Sequence, residues 1–230
     1  MRNGRAISVA LLAAAAAISS PVAAETPREL LVSAAFAARD KASALARIEA
    51  AIKGAQAIIA RDAGNREALL QRSIALGYRA KLNRSPADAK AARRGFEALV
   101  ASNPSDAEAQ LGLAGWHLLA IVEMGPLLAR TMLGARQAPG RQALDRALAA
   151  GGGRALIPAY AGMSLIQLEP GGVAEARRLV EAAAKARAPT PIDQIMQRHA
   201  AALLVPLRAG DGKAAAALAE KLMPFGRLAK

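Results

Sequence analysis

Residues 86–104 read PADAKAARRGFEALVASNP, and the order of small, bulky and breaking residues in this stretch decides the fold. Ser85 is placed to cap a helix, and Pro86 suits its first position, where a missing N–H costs nothing. Ala92 is small enough for a paired helix to approach closely. Phe96, one turn later, is large enough to fill the gap between neighbouring hairpins, and Leu99 extends the same face. Asn103 and Pro104 stop the helix. Ser105 and Asp106 then precede a new apolar run, so another helix starts at once.

The same punctuation cuts up the rest of the chain. Breaks fall at Gly64-Asn65, Asn83 to Pro86, Asn103-Pro104, Pro139-Gly140, Gly151 to Gly153, Pro170 to Gly172, Pro189 to Pro191 and Gly210 to Gly212. They leave helices over 28–39, 42–61, 66–81, 86–101, 106–124, 126–135, 141–149, 155–168, 173–186, 192–208 and 212–223. Strand-like alternation of β-branched and aromatic residues is nowhere sustained. Aromatics make up only 3% of the chain. Alanine and leucine dominate instead, which suits closely spaced helices. The expected fold class is all-α.

Short helices joined by tight turns call for a repeat search. Ala92, Phe96, Leu99 and Pro104 together resemble the second helix of a tetratricopeptide repeat. Weaker echoes are Ala51, Ala55 and Ile58; Leu144, Ala147 and Leu148; and Ala176, Val180 and Ala183. First-helix echoes include Leu69, Ser73 and Leu76, then Leu113, Ala114 and His117, then Gly162. The resemblance spans roughly 42–188 and implies a right-handed solenoid of helical hairpins. It departs from the family in spacing, because Ala51, Ala92 and Ala176 stand 41 and 84 positions apart. Arg72 also occupies a place where the family usually has leucine. Gly115-Trp116-His117, Leu128-Ala129-Arg130, Gly134-Ala135-Arg136 and the run from Leu144 to Leu148 are similar to a group of exported bacterial tetratricopeptide proteins. They are more remotely similar to the helical domain of regulators of microtubule dynamics. Both similarities imply binding, and neither supplies a catalytic residue.

The N-terminus predicts export. Arg2 and Arg5 precede an apolar run over 6–18, broken by Ser19-Ser20-Pro21 and followed by Val22-Ala23-Ala24. That order reads as a secretory signal peptide over 1–24, cleaved after Ala24. The run is too short for a membrane span. The expected mature chain is one domain over 25–230 in a bacterial periplasm, with no transmembrane span. The sequence has no cysteine, which excludes disulfides, thiolate metal sites and a lipidated N-terminal cysteine. Net charge is +13 for the full sequence; losing Arg2 and Arg5 leaves +11, which favours anionic partners.

Candidate chemistry is sparse. His117 has Leu113 and Ile121 at helical spacing and His199 has Ile195 and Leu203, so neither has a same-face ligand partner for a metal. Both read as packed, hydrogen-bonded histidines. Glu123 stands alone in an apolar stretch over 118–133 and is expected to pair with Arg130 or Arg136 or to face solvent. No second carboxylate lies at helical spacing from it. The stretch itself reads as a buried helix and its packed return, with an interfacial position on a membrane as the other reading. The three glycines at 151–153 lack the strand and Gly-Lys-Ser/Thr of a phosphate loop. No cofactor, metal or enzymatic activity is expected.

Two surfaces remain as binding candidates. Stacked first helices would line a concave groove for a protein segment or peptide, with Glu108, Leu111, Gly115, Leu118 and Leu119 facing it. The expected function is therefore a periplasmic scaffold or adaptor. The second surface is the basic band of Arg72, Arg79, Lys81, Arg84, Lys90, Arg93 and Arg94, opposed by Asp88 alone. It suits a peripheral envelope protein that binds anionic lipid or a polyanion. Nucleic acid is not expected, because Tyr78 is the band's sole stacking ring.

Overall fold

A computed structural model describes residues 25–228, so the expected signal peptide over 1–24 lies outside the described residues. The fold is all-α. The helices are α1 (Pro27–Phe36), α2 (Lys41–Arg61), α3 (Arg66–Asn83), α4 (Pro86–Ser102), α5 (Ala107–Met124), α6 (Pro126–Leu133), α7 (Gln137–Ala150), α8 (Leu156–Leu168), α9 (Val173–Lys185), α10 (Pro191–Arg208) and α11 (Gly212–Leu222).

Local chemistry sets most of the starts. Asp40, Asn65, Ser85, Asp106, Thr190 and Asp211 each accept a first-turn backbone N–H through their side chains. These caps satisfy donors that the helix itself leaves unpaired. One start differs from expectation. Pro139-Gly140, read from sequence as a break, lies inside the first turn of α7. Proline is tolerated there because that N–H has no intrahelical partner. Gly140 is needed for proximity, since a Cβ would sit 2.8 Å from Leu118 Cδ2 and 2.9 Å from His117 Cβ.

Helices pair side by side, α1 with α2, α3 with α4, α5 with α7 past the intervening α6, and α8 with α9. A second set of contacts links alternate elements, α1 to α3, α3 to α5, α5 to α8, and α8 to α10. Helix α6 is set apart from this series and touches α4 and α5 alone at more than marginal extent. Ala92 is fully buried and faces Gly77 of α3. Phe96 is buried between α4 and α5, where Gly112 leaves room for its ring. Truncating such a ring typically costs about 3–5 kcal/mol.

An ion-pair chain runs across the N-terminal ends of α1, α3, α5 and α10 and the loop before α8. Arg28 reaches Glu67 and Glu108, each at 2.7 Å. Arg154 bridges Glu108 at 2.6 Å and fully buried Asp193 at 3.1 Å. Arg66 pairs with Asp106 through its Nε at 2.7 Å. Asp193 also accepts from Leu156 N–H at 3.1 Å and from the Thr190 hydroxyl at 2.6 Å.

The C-terminal part of the chain returns to the N-terminal part. Helix α11 packs on α8 and α10. In the turn that follows, Phe225 takes a left-handed φ of 65°. Its N–H donates to the Ala35 carbonyl at 3.0 Å. Its ring meets Tyr78 edge-to-face, with centroids 4.9 Å apart, and joins Leu31, Ala34, Ala44 and Ile48 in one buried cluster.

Candidate functional site

Because α6 is inserted between α5 and α7, a cleft of about 310 Å³ opens where α4, α5 and the start of α7 meet. Arg93 and Glu97 line it from α4; Gln110, Leu113 and His117 line it from α5. Gly134, Arg136, Gln142 and Arg146 close the third side. Arg136 precedes α7 in an extended conformation, φ −142° and ψ 145°, and α7 has no side-chain cap. The Arg136 N–H donates instead to His117 Nδ1 at 3.1 Å. This leaves the Nε2 position of the neutral ring as the proton carrier.

Charge in the cleft is mostly positive. The Arg93 Nε donates to Glu97 at 2.7 Å, and its guanidinium lies 5.2 Å from the Trp116 ring centroid. Trp116 is itself fixed by donation from Nε1 to the Ala89 carbonyl at 2.8 Å. Arg136 and Arg146 are exposed and form no ion pair among the described residues. Burial pushes His117 down to about 4, helped by the Arg93 and Arg136 charges and opposed by Glu97. Gln110 is 0% exposed. Its Nε2 donates to the Pro104 carbonyl at 2.9 Å, while its Oε1 has no partner.

The residues expected to face a groove are placed otherwise. Leu111 and Leu118 are buried in a cluster with Ala143 and Leu144 of α7 and with Ile157 and Ala161. Gly115 abuts Tyr160, whose hydroxyl would lie 2.4 Å from an added Cβ. Leu119 packs on the cluster around Met163 and Met196. Glu108 is engaged by Arg28 and Arg154. Leu111, Gly115 and Leu118 are thus covered by α7, α8 and the helices beyond, whereas Glu108 and Leu119 are half-buried.

The basic band is divided. Arg79 pairs with Asp88 and Glu49, Lys81 with Glu123, and Arg93 with Glu97. Arg72, Arg84, Lys90 and Arg94 are exposed and unpaired among the described residues. Lys81, at 2.7 Å, is therefore the partner of Glu123 in place of Arg130 or Arg136. His199 is half-buried, stacks edge-on against Phe36, and has an unpartnered Nδ1. Burial, then the Arg227 and Arg198 charges, lower its proton affinity.

Helix α6 differs most from the sequence reading. It is exposed, and Ala129 alone among its residues is buried. Leu127, Leu128 and Met132 are 76%, 47% and 47% exposed. Arg130 lies among them, and α6 carries no acid. Unpaired Lys90 and Arg94 line a shallow depression beside it, together with Arg93, Glu97 and Leu133. The cleft residues Gln110, Arg136, Gln142 and Arg146 carried no local signal as a group. Only the packing of α5 against α7 assembles them.

Among the described residues, no three histidine, aspartate or glutamate side chains gather where they could hold a metal. No helix among them is long and apolar enough to cross a membrane. Comparison with protein-family models, curated proteins and solved structures found no match to this chain.

Proposed function

We propose that this chain is a peripheral docking protein of the bacterial envelope, built as a tetratricopeptide-like solenoid of helical hairpins and working without catalysis. In this reading the signal peptide ends at Ala24 and the mature chain rests on an anionic lipid surface of the periplasm. The observation that carries it is α6, which offers three large apolar side chains to solvent beside the unpaired cations Lys90, Arg94 and Arg130. Each buried methylene contributes about 0.8 kcal/mol and each nearby cation about 1 kcal/mol at an anionic surface. The alternating helix contacts described above support the solenoid.

Flotation with vesicles of phosphatidylglycerol mixed with phosphatidylcholine tests this reading. The protein is expected to float with them, to be released as salt rises, and to stay behind with phosphatidylcholine alone. Replacing Leu127 and Leu128 by serine on the exposed helix should abolish flotation while leaving the melting temperature unchanged. Equal flotation of that double variant would refute the role of α6. Intact mass of the envelope fraction should match a chain beginning at Glu25.

A second reading, a scaffold that holds a peptide, is favoured by one specific observation. Phe225 sits on α1 and α3 as an inserted aromatic anchor would. A synthetic peptide of residues 221–230 should bind the Phe225→Ala protein and not the wild type. Failure of both proteins to bind it would remove this reading.

A further inference from the structure

The cleft between α4, α5 and α7 has a function of its own. We propose that it is a binding site for a phosphate group. Three guanidinium groups border it from separate elements: Arg93 from α4, Arg136 from the turn before α7, and Arg146 from α7 itself. Guanidiniums are planar donors suited to phosphate oxygens, and approach from several sides matches a tetrahedral anion better than a planar carboxylate.

An uncharged donor adds to these. His117 is held with Nδ1 as the acceptor for the Arg136 N–H, so its donor is Nε2–H. Glu97 is the one carboxylate on the lining, and the Arg93 Nε already engages it.

A second observation points to a ligand independently of charge. Gln110 is fully buried, faces the cleft, and has an unpartnered Oε1. Its amide cannot simply be turned round, because Nε2 is committed to the Pro104 carbonyl. An orphan buried acceptor costs stability until a donor reaches it. A protonated phosphate oxygen, or a hydroxyl carried beside the phosphate, supplies such a donor. The volume of about 310 Å³ accommodates a phosphate with a small substituent.

This site stands on its own residues and does not depend on the membrane reading. A phospholipid headgroup and a soluble phosphate ester present the same chemistry, so the two sources are separated by experiment. Trp116 is the single tryptophan of the sequence, and Arg93 lies against its ring, so its fluorescence reports on the cleft. Inorganic phosphate titrated into the full protein at constant ionic strength should change that fluorescence saturably, with sodium chloride giving no change. Arg136→Gln with Arg146→Gln, both at exposed positions, should weaken binding at least tenfold with an unchanged melting temperature. Arg208→Gln, remote from the cleft, should bind as the wild type does. No saturable response to phosphate, or an undiminished response in the double variant, would overturn the proposal. Where phosphate binds, loss of its signal on adding phosphatidic acid vesicles identifies a headgroup site. Persistence of the signal with those vesicles identifies a soluble phosphate ester; either result supports the cleft as the site.

Discussion

Lowering pH should destabilise this protein well before its carboxylates protonate, and His117 should carry most of the effect. Burial, with Arg93 and Arg136 nearby, brings its pKa from 6.5 to about 4 in the folded chain. Between those values the unfolded chain binds more protons, so stability is fully present above about 6.5 and drains away as pH falls. The full difference between 6.5 and about 4, at about 1.4 kcal/mol per pH unit, is roughly 3 kcal/mol. About 2 kcal/mol of it is lost by pH 5. Urea unfolding followed by Trp116 fluorescence at pH 7 and pH 5 measures the change. His199 titrates in the same direction, so the informative quantity is the difference from His117→Gln. That variant keeps an acceptor for the Arg136 N–H but cannot titrate. It should lose about 2 kcal/mol less than wild type between the two pH values. An equal loss in both proteins would refute the assignment to His117.

Three further perturbations address the packing. Gly140→Ala places a Cβ against Leu118 and His117 and should lower stability by about 1–3 kcal/mol in thermal melts. Leu118→Asp should abolish the cooperative melt, because the carboxylate would enter the α5–α7 core without a partner. Arg154→Met leaves buried Asp193 without its cation and Glu108 with Arg28 as its close partner, and should cost about 3–5 kcal/mol by urea unfolding. A stable Leu118→Asp protein would show that α5 presents this face to solvent.

Most helix starts were legible because their determinants are local. Asn65, Ser85 and Asp106 each cap from a single position, and Phe96 between two small-residue helices announces its own packing. The start of α7 was not legible, because proline and glycine serve equally in a turn and in a crowded first helical turn. The contact of Gly140 with Leu118 distinguishes them, and it is long-range. Helix α6 was misread for a related reason. Leu127, Leu128 and Met132 have the composition of a core helix, and only the direct packing of α5 on α7 shows that the core is full without them. The burial of Leu111 and Leu118 is not legible for the same reason, since the residues covering them come from later helices. Of the cleft, Arg93, His117 and Arg136 stand out singly in the sequence, Arg136 only as an expected partner of Glu123. Arg146 and Gln110 do not, because nothing local separates them from any solvated arginine or helical glutamine.

The contact between Phe225 and Ala35 also governs when the first helices can finish folding. As the chain is made, 31 to 52 arrive early, yet their cluster stays one aromatic ring short until 225 has been added. Contacts this distant along the chain form late. An unfinished or clipped molecule therefore exposes its damage at the opposite terminus, around Leu31 and Ile48, where proteases would find it. Limited proteolysis of a chain ending at Pro224 should cut first within α1 or α2, far from the missing residues.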